Sequence, residues 1–274
     1  MRVEGNIRKM VSSLAEKVCY ELPVGDQLLP MNGLIGNQLK LTYLGEINCL
    51  HCNRKSNKSF AQGYCYPCFK KLAQCDLCIM KPEQCHYAAG TCREPEWGEQ
   101  FCMQDHFVYL ANSSGLKVGI TRYTQIPTRW IDQGATQALP IFRVKTRLQS
   151  GQLEVILKQH IADKTDWRKM LKGMAENKDL AAERDRLLAE CGDEIAELSN
   201  EQGKGDIEFL KRAEVVNIEF PVQEYPKKVS SLNFDKTAEI SGKLQGIKGQ
   251  YLIFDCGVLN IRKFGGYRIA VESC

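Results

Sequence analysis

Two pairs of cysteines constrain the fold of this chain more than any other feature of its sequence. Cys49 and Cys52 form one Cys-x2-Cys pair, and Cys65 and Cys68 form a second pair after twelve intervening residues. Four thiolates presented by two such pairs close the tetrahedral site that Zn²⁺ favours. The spacing therefore predicts a structural zinc site in a zinc-ribbon-like module.

A second run of metal-type side chains follows at once. Its members are Cys75, Cys78, Cys85, Cys92, Cys102 and His106. The most compact set of four is Cys75, Cys78, Cys85 and Cys92. An equally reasonable zinc-ligand set is Cys75, Cys78, Cys102 and His106. An iron–sulfur cluster on the compact thiols fits the same ligand type, whereas no thioredoxin-like βαβ pattern supports a redox pair. We expect zinc, at one or two structural sites in the chain, because the neighbouring first site has zinc spacing.

The composition is that of a globular protein of 274 residues with ordinary hydrophobic and charged fractions. No apolar run approaches the roughly 20 residues that a membrane helix needs, and the first residues are charged throughout, unlike a signal peptide. These features predict a cytoplasmic protein without a membrane partner, and they leave its oligomeric state open. Thirteen cysteines in that compartment indicate metal binding rather than disulfides.

Positive charge is concentrated in parts of the chain where acids are scarce. Residues 49–71 carry five basic residues and no acid, and residues 111–150 carry six against one. Such stretches favour a polyanion, so we expect DNA or RNA as partner. A solvated basic face and a purely architectural zinc module are the alternatives. The predicted nucleic-acid contacts are Arg54, Lys55, Lys58, Arg122, Arg143, Lys145, Lys248, Arg262 and Lys263.

Residues 106–161 follow the order hairpin, helix, strand, helix. "HFVYLA" and "LKVGIT" are strand-like around the turn "NSSG". Arg129 lies in a short helix after Pro127, and "LPIFRVKTRL" is strand-like. An amphipathic helix is expected to begin after Gly151, with Glu154 in its first turn.

That order resembles the core of the GIY-YIG nucleases, which act on nucleic acid with a divalent metal. The resemblance implies that Tyr109 occupies the tyrosine of the first motif, that Lys117 to Gly119 occupy the second motif, and that Arg129 and Glu154 are the site arginine and the metal-binding glutamate. In those roles Glu154 would hold Mg²⁺ or Mn²⁺, Arg129 would bind the phosphate, and Tyr109 would position or deprotonate the water.

The sequence also departs from the nuclease motif. Lys117 replaces the second tyrosine, and the first motif reads Val-Tyr-Leu without its glycine. Each residue also has a structural interpretation: Tyr109 as core, Arg129 as surface, and Glu154 as an acid favoured by the helix dipole. Two hypotheses follow, a metal-dependent nuclease and a non-catalytic zinc-dependent protein that binds nucleic acid, such as structured RNA, through a degenerate nuclease-like core.

Most of the chain is similar to a family of cysteine-rich bacterial proteins classed as a domain of unknown function. The segments that carry this are "PEQCHYAAGTCREPEWGEQFC", "VYLANSSGLKVGITR", "RWIDQGATQA" and "GIKGQYLIFDCGVLNIRKFGGY". The resemblance supports the order of segments along the chain, but it does not indicate an activity.

The flanking segments complete an α+β fold with a zinc-ribbon-like module and a small central mixed sheet. The expected division is an N-terminal β segment (1–48), a cysteine-rich module (49–105), a GIY-YIG-like core (106–162), a helical segment (163–213) and a C-terminal β domain (214–274). Glycines punctuate the last segment, as in a small β-barrel or meander. Residues 33–48 are also strand-like, and we expect them to pair with it.

Overall fold

The fold is described from a computed structural model that covers residues 1–162, 164–203 and 205–273. Its strands are β1 Arg2–Asn6, β2 Val11–Ser13, β3 Cys19–Val24, β4 Gln27–Pro30, β5 Gln38–Ile47, β6 His106–Asn112, β7 Leu116–Arg122, β8 Gln137–Val144, β9 Ile207–Phe209, β10 Val216–Asn217, β11 Glu239–Lys248, β12 Tyr251–Phe254, β13 Gly257–Asn260 and β14 Tyr267–Ser273. Its helices are α1 Tyr66–Lys71, α2 Pro95–Phe101, α3 Thr128–Asp132, α4 Arg147–Leu157, α5 Trp167–Met170 and α6 Leu180–Gln202. The α+β class is confirmed.

The two ends of the chain share one six-stranded sheet, in the order β1-β14-β5-β11-β12-β13. Strand β5 buries alternate residues such as Leu39 and Leu41 and pairs antiparallel with both β11 and β14. The expected pairing of residues 33–48 with the C-terminal strands is therefore confirmed. Strands β1 and β13 are the edge strands, so the sheet formed by the described residues is open. Of the two predicted C-terminal folds, barrel or meander, strands β11, β12 and β13 form the meander. The five-segment division stays a prediction.

The central sheet has the order β10-β8-β6-β7, with β9 also paired to β8. Its named strand pairs are all antiparallel, so the expectation of a mixed sheet is wrong for them. Three residues connect Asn112, the end of β6, to Leu116, the start of β7, and so short a connection can join only antiparallel strands. A parallel bridge joins Lys117, in β7, to Ala162, which belongs to no strand.

Strand β6 divides two hydrophobic cores. Val108 and Leu110 pack against α4 and α6, whereas Tyr109 and Ala111 face the core shared with the six-stranded sheet. Because side chains alternate along a strand, neighbouring residues of "VYLA" enter different layers. The central sheet is thus buried on both faces, between helices on one side and the large sheet on the other.

Helix α4 begins at Arg147, five residues earlier than the expected start after Gly151. Thr146 accepts a hydrogen bond from the Gln149 backbone N–H while the Gln149 side chain accepts one from the Thr146 N–H, which is a capping box. Glu154 consequently lies in the last turn of α4, and its expected place in the first turn is wrong. The helix dipole disfavours a carboxylate there, so the dipole does not explain Glu154.

Helix α6 begins at the cap Asp179 and confirms the helix expected around "LAAERDRLLAECGDEIAEL". It buries a stripe that includes Leu187, Cys191 and Ile195 against the central sheet and exposes its charged face. None of the helices formed by the described residues is both apolar and long enough to cross a bilayer.

Candidate functional site

The four predicted cysteines of the first zinc site come together. Cys49 and Cys52 follow β5, and Cys65 and Cys68 lie at the cap and in the first turn of α1. Their four sulfur atoms lie within 4.8 Å of one another, and the Cys52 and Cys65 sulfurs are 3.7 Å apart. Zn–S bonds of about 2.3 Å in a tetrahedron place sulfurs about 3.8 Å apart. This cluster has the geometry of a possible zinc site.

The electrostatics of this first cluster also suit a divalent cation. Burial raises the pKa of the Cys49 thiol, but hydrogen bonds from the backbone N–H groups of Cys52, Cys65 and His51 outweigh burial and lower it to about 6. Burial and the neighbouring thiols raise the pKa of Cys68. One thiolate therefore opposes ionisation of the next, and a cation among the four sulfurs removes that opposition.

The structure groups the second set of candidate ligands differently from the sets that their sequence spacing suggested. Cys78, Cys85, Cys92 and Cys102 line one small cavity. Cys75 is not among the residues that line it. Burial raises the pKa of the Cys75 thiol to about 11, and the charged groups around it are Arg93, Cys49 and Glu94. The chain turns between Cys75 and Cys78 at Asp76, whose backbone is extended between two short 3-10 turns.

His106 lies apart from that cavity, at the start of β6. Its side chain is fully buried, Nδ1 contacts the Gln104 carbonyl oxygen at 2.7 Å, and Nε2 has no hydrogen-bond partner among the described residues. Burial, followed by the charges of Arg147 and Arg122, lowers the pKa of His106 to about 4. The structure therefore holds a neutral imidazole here.

Tyr109 and Lys117 meet at Gln133, and Arg129 lies beside Tyr109. Gln133 is not among the predicted site residues. The Tyr109 hydroxyl and the Lys117 ammonium both donate to Gln133 Oε1, each at 2.8 Å. Burial raises the pKa of Tyr109 to about 12, while the Arg129 guanidinium beside it lowers the pKa and Glu154 raises it. Arg129 and Gln133 are four residues apart, so helical spacing placed both on one face and was the available signal.

Gly119 is required by the position of the tyrosine ring. It lies directly opposite Tyr109 across the strand pair. A Cβ atom at Gly119 would lie 2.8 Å from both Cζ and the hydroxyl oxygen of Tyr109. The absence of a side chain at Gly119 therefore gives the ring room to reach Gln133.

Arg129 and Glu154 open onto a cleft of about 440 Å³, called here the basic cleft. Among the described residues that line it, six are basic and two are acidic. The charged lining residues are Lys9, Arg122, Arg129, Arg147, Lys164, Arg262, Asp132 and Glu154. Asp132 is already engaged, since Oδ2 accepts from Lys9 at 2.9 Å and Oδ1 from Gln250 at 2.8 Å.

The arginines of the basic cleft oppose one another electrostatically. Burial, then the charge of Arg147, lowers the pKa of Arg122, and burial, then the charge of Arg129, lowers the pKa of Arg262. Bringing buried cations together weakens the folded state unless an anion joins them. The cleft is therefore suited to bind anions.

The other predicted nucleic-acid contacts are scattered. Arg54, Lys55 and Lys58 are exposed around the first cluster. Arg143 and Lys145 both pair with Asp105, and Lys263 is exposed and pairs with Asp235. Of the nine, only Arg122 and Arg262 line the basic cleft.

Lys248 does not lie on the surface, contrary to its selection as a nucleic-acid contact. Its side chain is fully buried and Nζ donates to the Gly173 carbonyl oxygen at 2.9 Å, over the rings of Phe220 and Tyr225. It is the last residue of β11 and follows the buried Ile247, and burial at this position removes it from solvent.

A family model described as Protein of unknown function (DUF2797) matches residues 36–269. The chain belongs to that family. No curated protein and no solved structure matches the chain.

Proposed function

We propose that this chain is a divalent-metal-dependent phosphodiesterase that cleaves DNA or RNA in the basic cleft. Thiolate-bound zinc folds the neighbouring cysteine-rich module. The observation that carries the proposal is the convergence of Arg129, from α3, and Glu154, from α4, in a cleft with five further cations, beside the Tyr109 hydroxyl.

The order of elements supports the same proposal. Strands β6 and β7, helix α3, strand β8 and helix α4 follow the order hairpin, helix, strand, helix that suggested the GIY-YIG nucleases. The motif residues also adjoin one another, since Tyr109 lies over Gly119 and shares Gln133 with Lys117. Lys117 thus takes the place of the second tyrosine as a hydrogen-bond donor.

The residues of the cleft fit a weakly bound Mg²⁺ or Mn²⁺. These ions are commonly held by one or two carboxylates together with substrate phosphate and water. Glu154 supplies a carboxylate, while Asp132 is engaged by Lys9 and Gln250. When bound, such an ion would supply Lewis-acid polarisation of the phosphate.

The chain's own residues would bind and orient the substrate. Arg129 can bind a phosphate through two parallel N–H bonds and stabilise the negative charge that develops on it. Tyr109 keeps its proton at neutral pH because burial raises its pKa to about 12. Its hydroxyl therefore does not act as the base; beside Arg129 it would help to orient the guanidinium that binds the phosphate. The attacking water would release its proton to solvent water in the cleft.

The test is a cleavage assay of the purified full chain with Mg²⁺ or Mn²⁺ on single- and double-stranded DNA and RNA. Glu154→Gln should lower cleavage by at least about 100-fold while nucleic-acid binding persists. Tyr109→Phe should also lower cleavage. The matched control is Glu197→Gln, on the exposed face of α6, which should cleave like the parent protein. Equal cleavage by Glu154→Gln and the parent would remove this site from the reaction.

The second candidate is a non-catalytic protein that binds nucleic acid. The burial of Tyr109 favours it, because this side chain is fully buried and the described residues that line the cleft do not include it. In that case the cations of the cleft would bind phosphate without cleaving it. Salt-sensitive binding by the parent protein, with no cleavage of any of the four substrates, would select this candidate.

A further inference from the structure

Four thiols outside the first cluster surround a single small cavity. Cys78 lies in the 3-10 turn Leu77–Ile79, Cys85 follows the turn Pro82–Gln84, and Cys102 caps α2. Cys92 precedes α2, and its sulfur would lie 3.3 Å from a Cβ added at Gly98. The chain therefore brings thiols from four separate places to one point.

The cavity has the size for one ion. Its volume is about 10 Å³, close to that of one water-sized sphere. Its other walls include Ala73, Tyr87, Trp97 and Gly98. Apolar walls and soft sulfur donors suit a thiophilic metal better than water.

The surrounding segment has little apolar core of its own. Between residues 66 and 105 the buried hydrophobic side chains are Leu72, Ala73 and Cys102. Apart from α1 and α2, the regular elements of this stretch are 3-10 turns of three residues each. A segment with so few buried side chains needs a cross-link to hold one conformation.

We infer that Cys78, Cys85, Cys92 and Cys102 bind a second Zn²⁺. Binding converts four thiols to thiolates, releases their protons and leaves a site with a net charge of about −2. Arg147 is placed to offset that charge, since its guanidinium interacts electrostatically with Cys102, Cys78 and Cys85. No three of the four sulfurs lie within 4.8 Å of one another, so the ion would draw the two 3-10 turns toward α2.

Asp76 and His86 also line the cavity, but both side chains are committed to other partners. With Cys78 they form a group of potential ligand atoms within 4.8 Å. The Asp76 carboxylate, however, accepts from Arg93 Nε at 2.7 Å, and His86 Nδ1 contacts the Thr91 hydroxyl at 2.8 Å. These contacts place both side chains around the thiolates as outer partners rather than as ligands.

The second zinc site would also position one wall of the basic cleft. Arg147 donates its backbone N–H to the Cys102 carbonyl at 2.8 Å and its Nη2 to the Ile79 carbonyl at 2.7 Å. Ile79 directly follows the ligand Cys78. The first residue of α4 is therefore held from both sides by the segment that carries the ligands.

The test is the zinc content of the purified full chain, measured by elemental analysis after removal of loosely bound metal. We expect two zinc ions per chain. Cys85→Ser and Cys102→Ser should each retain one, and Cys52→Ser, in the first cluster, should retain the other. The controls His86→Ala and Cys75→Ser should retain both.

Cobalt replacement keeps the test decisive if a serine variant folds poorly. Co²⁺ bound to four thiolates absorbs through sulfur-to-metal charge transfer, and the parent protein should titrate to two equivalents with that spectrum. One zinc per chain in the parent, lost on Cys52→Ser and unaffected by Cys85→Ser, would overturn the inference. Iron with acid-labile sulfide in place of the second zinc would also overturn it, in favour of a cluster.

Discussion

Tyr109 reaches Gln133 and Arg129 because residue 119 has no side chain. We expect Gly119→Ala to push the Tyr109 ring aside, since the new Cβ would lie 2.8 Å from it. Overpacking of this kind costs about 1–3 kcal/mol of unfolding free energy, and cleavage should fall at least about 10-fold. The control is Gly33→Ala, which has no atom within 4 Å of the new Cβ. A Gly119→Ala protein with unchanged cleavage would show that the ring position does not matter.

His106 makes the stability of the fold depend on pH. Burial and two arginines lower its folded-state pKa from 6.5 to about 4, so the unfolded chain binds a proton that the folded chain does not. Stability from this residue is fully present above pH 6.5 and is lost as the pH falls toward 4, by up to about 3 kcal/mol. The measurement is urea unfolding at several pH values for the parent and for His106→Asn. Other acid-sensitive groups, including the cysteine thiols, are shared by both proteins, so parallel curves would contradict this prediction.

At the scale of single residues, the sequence predicts which side chains belong to the candidate site better than it predicts the residues they contact. The resemblance selected Tyr109, Arg129 and Glu154, and the structure places these three close together. Gln133 was accessible from its four-residue spacing to Arg129. Arg147 was not, because its importance depends on the cysteine-rich segment packing against the start of α4, which is a tertiary contact.

Helix α4 packs against the cysteine-rich segment through a glycine. A Cβ at Gly151 would lie 2.5 Å from the Glu83 backbone nitrogen and 2.7 Å from the Pro82 carbonyl carbon. Alanine normally stabilises a helix interior by about 1 kcal/mol relative to glycine. Here we expect Gly151→Ala to destabilise the protein by about 1–3 kcal/mol, because the backbone clash outweighs helix propensity.

Gly192 provides the matched control for Gly151. It lies on α6, and a Cβ there would have no atom within 4 Å. Gly192→Ala should therefore stabilise the protein by about 1 kcal/mol. Chemical denaturation of both variants gives the sign of each change in unfolding free energy. Stabilisation by both substitutions would show that α4 does not pack closely on residues 82–83.

Elements were predictable where local patterns decide them. The strands around "NSSG" and helix α6 follow from alternation and from helical periodicity. The start of α4 could also have been predicted, since Thr146 and Gln149 have the spacing of a capping box. The prediction rested on Gly151 alone and placed the start after it. The glycine marks a packing contact rather than a helix boundary.

At the scale of the whole molecule, chain ends far apart in sequence build one sheet and one cleft. The spacing of Cys49, Cys52, Cys65 and Cys68 was sufficient to predict a common site. For the six-stranded sheet, the sequence predicted only that β5 pairs with the C-terminal strands. The basic cleft takes Lys9 and Arg262 from opposite ends of the chain, and no local pattern signals such a juxtaposition.

The most direct test of the basic cleft as the nucleic-acid site is the salt dependence of binding by Arg262→Gln. Arg262 lies among other cations in the cleft, so its removal should not weaken the fold. The plot of log affinity against log salt should lose about one unit of slope, because one phosphate contact disappears. Arg268→Gln is the control, since Arg268 is exposed and pairs with Glu46 outside the cleft, and its slope should match the parent. Equal slopes for all three proteins would contradict the placement of nucleic acid in the cleft.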